Sequence, residues 1–260
     1  MAGGRRTEEV MGIPVTVEVA DPVRPEVFDA VFADFRHLDE VFSTYRQDST
    51  VSRINRGELT LQEGGMLVTQ AAALCLSYQR ETGGAFSAWV GGRFDPSGLV
   101  KGWAIDRACS ILHRAGCRNF FVDGAGDVQA RGSNGDEPWR VGIRHPWQRD
   151  QVVRVVLATD LAVATSGTYE RGLHIVDPAT GRATEDFVSF TVVGPDIVQA
   201  DVYATAGFVM GAGGLDFLLD RRGYEAYAIA ADGIATYTPG FDALCEGTAD
   251  TLTTRRSPGN

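Results

Sequence analysis

Seven short strand-like segments crowd into residues 118 to 193, at 118–123, 127–131, 139–144, 152–157, 161–165, 173–176 and 188–193. They follow a helix-rich first half, and regular alternation of strand and helix is missing. That order points to an α+β fold with mixed or antiparallel sheets and packed helices, not to a doubly wound parallel sheet. Ahead of the strands, Val27, Val31, Phe35, Leu38 and Phe42 recur at helical spacing from Pro25 onward. Leu67, Ala71, Leu74 and Tyr78 mark a second helix over 66–81, and Val100, Ala104, Ala108, Ile111 and Leu112 a third that stops near Gly116. Residues 198–210 and 214–222 also read as helical, and EAYAIAADGIATYT as a hairpin turning at Asp232-Gly233.

The stretch VMGIPVTVEV (10–19) reads as one strand, with Pro14 favouring an edge or a bulge. STYRQDSTVSRINRG reads as a polar loop, and TGGAFSAWVGGRFDPSG is too rich in glycine for a regular element. No linker or repeat interrupts the chain. The expected organisation is a flexible segment 1–9, one composite domain over 10–246 and a disordered tail 247–260.

Composition narrows the function. A formal net charge of −10 and a pI near 4.9 argue against a nucleic-acid partner or an anionic membrane surface. They leave room for an anionic small ligand held locally by a metal or a lysine. Cys75, Cys109, Cys117 and Cys245 show no paired spacing, so reduced and mostly buried thiols are expected. The N-terminus carries charge without an apolar run to follow it, and no window reaches membrane-spanning length. Cytoplasmic residence is the expectation.

Three segments carry residues suited to chemistry. In QADVYATAGFVMG, Asp201 and Thr205 project from one helical face of a segment otherwise fit for burial. Their oxygens suit Mg²⁺ or Ca²⁺; equally, Asp201 could cap the helix while Thr205 packs inside. In DPSGLVKGWAIDRA, Lys101 falls in the first turn of a helix, where an acid is favoured. An anion bound at that helix start would explain it, as would a solvated surface lysine. In ATSGTYERGLHIVDPATGR, His174 sits in a short apolar stretch, as a core residue or as a general base.

Two motifs fit their templates poorly. GAGDVQ lacks a third glycine and runs into a strand where a dinucleotide fingerprint needs a helix. ATSGT offers hydroxyls without a G-x-S-x-G elbow. His37, His113 and His145 lack ligand-like spacing, which disfavours zinc.

Together, VMGIPVTVEV, VFSTYRQDSTVSRIN, TGGAFSAWVGG, DPSGLVKGWAIDRA, VDGAGDVQARG, ATSGTYERGLHIVDPATG and QADVYATAGFVMG resemble, in order, the FAD:protein FMN transferases, the ApbE-like flavin transferase family. The resemblance spans roughly residues 10 to 211. It implies the flavin transferase fold and transfer of FMN from FAD to a threonine or serine hydroxyl of an acceptor protein, releasing AMP. It implies FAD contacts at Met11, Tyr45, Ala85, Phe86, Ser87, Asp95, Lys101 and Ile175. It implies Mg²⁺ bound by the Gly98 carbonyl, Asp201 and Thr205, with His174 beside the diphosphate as base. Tyr45 and Phe86 would wall the isoalloxazine. The chain departs from the family pattern at Ser87, where an acid is common, and near Asp123-Gly124-Ala125-Gly126-Asp127, where an Asn with two adjacent glycines is common. A lipoprotein-type N-terminus is also missing, which suggests an intracellular acceptor.

Overall fold

The computed structural model describes residues 3–148, 150–168, 181, 184, 186–247 and 252–257. The strand expected at 173–176, with His174 and Ile175, lies outside the described residues.

Nine strands form one sheet in the order β1 (Gly4–Val10), β2 (Ile13–Val19), β5 (Phe120–Gly124), β6 (Asp127–Arg131), β9 (Ala162–Gly167), β10 (Phe187–Gly194), β11 (Glu225–Ala230), β12 (Ile234–Tyr237) and β13 (Thr253–Arg256). Neighbours run antiparallel except β12 and β13, which are parallel. Two small ribbons accompany it: β3 (Trp89–Val90) with β4 (Arg93–Phe94), and β7 (Trp139–Arg144) with β8 (Val152–Ala158). The helices are α1 (Pro25–Phe42), α2 (Thr50–Asn55), α3 (Met66–Glu81), α4 (Ser97–Arg114), α5 (Ile197–Met210) and α6 (Ala212–Leu219).

Side-chain alternation along the strands explains the layering. Ala162, Ala164, Val192, Ala226 and Ala228 face the helices and join the main core. Their neighbours Val163, Val193, Tyr227 and Ile229 face the other way, onto Ile143, Val153 and Val156 of the β7–β8 ribbon and onto Phe241. The central strand β10 is covered on both faces and therefore reads FVSFTVVG, nearly all apolar. The helix α5 is likewise apolar almost all round, because it lies against β9 and β10 on one side and α4 on the other.

Several expectations need correction. Residues 4–10 are not a flexible lead-in but the edge strand β1, and VMGIPVTVEV is split by a turn at Met11-Gly12 into the end of β1 and the whole of β2. The sequence GRRTEEV hides this strand because its residues are mostly polar and only Val10 is buried. Arg5 pairs with Glu18 at 3.3 Å, Arg36 with Glu8 at 2.7 Å, and the Thr7 and Thr16 hydroxyls meet at 2.9 Å. The tail is ordered in part: Thr253–Arg256 pair with Ile234–Tyr237, and Ser257 N–H donates to the Tyr237 carbonyl at 2.8 Å. The polar loop contains α2, whose start is capped by Ser49 Oγ accepting from Ser52 N–H at 3.0 Å. Pro14 lies on neither an edge strand nor a bulge; it sits beside the turn, one residue outside the stretch of β2 paired with β5.

Candidate active site

Segments far apart in the chain meet at a cavity of about 300 Å³ between α4, α5 and the β1–β2 and β5–β6 turns, a volume at the lower end for small-molecule sites. Met11, Tyr45, Ala85, Phe86, Ser87, Asp95, Gly98, Lys101, Asp201 and Thr205 all line it. Every candidate residue inside the described part of the chain is therefore in one place; His174 and Ile175 lie outside that part.

The walls differ in character. Tyr45 is 89% exposed and stands at the mouth, whereas Phe86 is 3% exposed and held edge-on against Tyr78. Gly98 lets the Phe86 ring approach, since a Cβ there would lie 3.2 Å from it. Ser87 Oγ accepts from Trp89 N–H at 3.1 Å, fixing the loop between α3 and β3. Two turns on the rim hold non-glycine residues at positive φ, Met11 at 57° and Ala125 at 56°. Such backbone strain gathers at sites where geometry matters more than stability.

The floor is polar. Helix α4 begins at Ser97, earlier than its periodicity indicated, so Lys101 is one turn in. Asp95 Oδ1 accepts from Ser97 N–H at 3.1 Å and brings negative charge to the helix start. The Lys101 ammonium is paired with Asp127 and stands 3.7 Å from Asp201 Oδ1. It is thus neither a solvated surface lysine nor a charge waiting for a ligand alone. Each acid is fixed at its other oxygen by a backbone N–H: Thr165 donates to Asp127 Oδ1 at 2.9 Å and Gly102 to Asp201 Oδ2 at 3.0 Å. Burial raises the Asp201 carboxyl well above the usual range; Lys101 pulls it down, and the neighbouring Asp127 carboxylate pushes it up again.

The helix cap is settled by geometry. Asp196, not Asp201, caps α5, its side chain accepting from Gln199 N–H at 2.9 Å. Asp201 is 4% exposed and turned into the site. Thr205 Oγ1 lies 3.2 Å from Ser166 Oγ.

The donor set suits a hard divalent cation. Asp127 and Asp201, two buried carboxylates, face one ammonium, which leaves negative charge over. Asp127 Oδ2 is buried against the Lys101 ammonium. Among the described residues no group of three or more His, Cys, Asp or Glu could hold a metal, so a cation here would keep few protein ligands and complete its shell with water and phosphate, as Mg²⁺ does.

Asp127 and Ser166 escaped the sequence reading. Both belong to motifs tested against the wrong templates, GAGDVQ and ATSGT. The available signal was faint: Asp127 opens β6, whose sequence DVQAR is of mixed polarity although four of its five residues are buried.

Solved structures share this architecture. The flavin transferase ApbE from Vibrio cholerae superposes with a TM-score of 0.80 at 22% identity, covering 93% of this chain and 99% of that one. The ApbE protein from Thermotoga maritima gives 0.83 at 24%, covering 94% and 100%. The fold is thus that of the flavin transferases. A model of the ApbE family matches residues 11–94 and 90–228, and the chain belongs to that family. The FAD:protein FMN transferase of Escherichia coli K12 is 31% identical over 150 residues, 54% of this chain and 43% of that protein. The one from Rhodobacter capsulatus is 35% identical over 163 residues, 59% and 31% respectively. The matched region spans less than half the length of these curated relatives.

Proposed function

We propose that the protein transfers FMN from FAD to a threonine or serine hydroxyl of an acceptor protein, releasing AMP. One observation carries this reading: ten residues drawn from separate stretches of a flavin transferase sequence line a single cavity, where the Lys101 ammonium stands 3.7 Å from Asp201 Oδ1.

In this reading the acceptor oxygen attacks the FMN-side phosphorus, the bond to the AMP phosphate breaks, and the hydroxyl proton passes to His174. The work of the protein is to position and to neutralise charge. Lys101, held between Asp127 and Asp201, presents its ammonium toward the cavity beside the start of α4. Asp95 and Ser87 order the approach to that helix. Met11, Tyr45 and Phe86 offer apolar walls for the isoalloxazine, which needs them. The Gly98 carbonyl, Asp201 and Thr205 would hold Mg²⁺, with FAD as the substrate. When bound, the cation supplies charge neutralisation at the diphosphate and its leaving phosphate.

Among the described residues no disulfide forms, and three of the four cysteines are buried, which supports a reducing, cytoplasmic setting for both enzyme and acceptor. Among the described residues no helix is long and apolar enough to cross a membrane.

The test is to incubate the full chain with FAD, Mg²⁺ and a candidate acceptor domain. The expected result is an acceptor heavier by one FMN phosphoester, with equimolar AMP. Free FMN and AMP with an unmodified acceptor would instead show hydrolysis, and intact FAD would contradict both.

A further inference from the structure

Lys101 lies between two buried acids, and it does not share itself equally. Its ammonium is in contact with Asp127 and 3.7 Å from the nearer oxygen of Asp201. Asp127 sits at the start of β6, only 1% exposed, and cannot follow the lysine elsewhere because Thr165 N–H anchors its Oδ1 at 2.9 Å. Thr165 is itself tied across the sheet, its hydroxyl 2.8 Å from that of Thr191 on β10. Asp127 is therefore a fixed post on the sheet, whereas Lys101 is a long side chain on a helix.

Remove the charge of Asp127 and, among the described residues, the ammonium still has the buried carboxylate of Asp201 beside it, 3.7 Å away. Attraction between unit charges rises steeply as separation falls in a low-dielectric interior, so the lysine would close the remaining gap. Asp201 Oδ2 is already occupied by Gly102 N–H at 3.0 Å. Capture of Oδ1 by Lys101 would then engage both Asp201 oxygens and set an ammonium where a cation would approach, so that the two positive charges compete for one carboxylate.

We infer that Asp127 is a positioning residue that draws Lys101 away from Asp201 and so keeps the Asp201 carboxylate open to a divalent cation. The inference rests on the proposed function only in taking Asp201 as a cation ligand. Its distinctive content is that the effect of Asp127 runs through Lys101. A ligand role or a purely structural role for Asp127 would not depend on the lysine at all.

The experiment is a double-mutant cycle read by cation binding rather than by turnover. Mn²⁺, which shares the oxygen preference of Mg²⁺, is titrated into the full chain without flavin, and the free ion is followed by its solution EPR signal. Asp127→Asn keeps the shape of the side chain and is expected to weaken Mn²⁺ binding by about 10- to 100-fold, the usual effect of losing a group that orients a ligand. Lys101→Met should bind Mn²⁺ at least as tightly as the parent. The double variant Asp127→Asn/Lys101→Met should recover the affinity of Lys101→Met.

If the double variant binds as poorly as Asp127→Asn, the effect belongs to Asp127 itself and the inference fails. It fails also if Asp127→Asn binds like the parent. Circular dichroism and urea unfolding on each variant separate a lost fold from a lost site, and Asp127→Glu offers a second carboxylate should Asn prove unstable; partial recovery of affinity there is expected. Failure of the parent chain to take up Mn²⁺ would count against the cation reading of Asp201, a result distinct from either of these.

Discussion

Gly102 and Asp201 meet where helices α4 and α5 come closest. The N–H of Gly102 donates to Asp201 Oδ2, and a Cβ on Gly102 would stand 3.1 Å from both the Cβ and Oδ2 of Asp201 and 3.0 Å from the Ile197 carbonyl oxygen. Glycine in the middle of a helix ordinarily weakens it by about 1 kcal/mol relative to alanine, yet here it lets the acid sit against the backbone without crowding.

Gly102→Ala should consequently destabilise the fold despite its better helix propensity. Overpacking of this kind costs roughly 1–3 kcal/mol, and FMN transfer should fall with it as Asp201 is displaced. Urea unfolding checks the sign; a gain in stability would show that Asp201 and the Ile197 carbonyl give way to the added methyl.

Asp201→Asn retains shape and removes charge. With FAD present, Mg²⁺ should raise the melting temperature of the parent chain, since a ligand that binds only the native state stabilises it, and should leave that of the variant unchanged. Transfer by the variant should drop to the level seen without Mg²⁺. An undiminished shift in melting temperature would remove Asp201 from the cation site.

His174→Ala should bind FAD but turn over more slowly, by about 100- to 10,000-fold if the histidine is the general base. Single-turnover transfer with saturating FAD separates that loss from weaker binding. Turnover at the parental rate would leave the base to be sought elsewhere.

The far end of the sheet offers a test of electrostatics in stability. Burial pushes the Asp21 carboxyl up, but hydrogen bonds from the Asn119 side chain at 2.8 Å and the Arg118 and Asn119 backbone N–H groups at 2.5 and 2.7 Å win, and its pKa lies below the ordinary value. A depressed carboxylate stabilises the fold fully above its unfolded pKa of about 3.9, and this contribution is lost as the pH falls through the lower folded value. Asp21→Ala should therefore melt lower than the parent at pH 7, with the gap narrowing below about pH 4. An equal gap at pH 7 and pH 3 would contradict it.

Much of the architecture was legible because it follows hydrophobic period. The helix at Pro25–Phe42 buries Val31, Phe35, Leu38 and Phe42 as their spacing required, and Met66–Glu81 and the hairpin at Asp232-Gly233 likewise fall where the pattern put them. What escaped was held by other forces: β1 and β13 are polar strands at the two edges of the sheet, and α2 is too short to show a period. The site divides in the same way. Asp201 and Thr205 could be paired on sight because one helix carries both. Asp127 could not be joined to Lys101, nor Ser166 to Thr205, because each contact joins a strand to a helix that local spacing never relates.

The cavity takes its lining from as early as Met11 and as late as Val209. Occupancy is in consequence a readout of completed tertiary assembly. A chain stopping before Ile197 would lack the helix that carries Asp201 and Thr205, so under the proposed function a complete binding site exists only once α5 is made and docked.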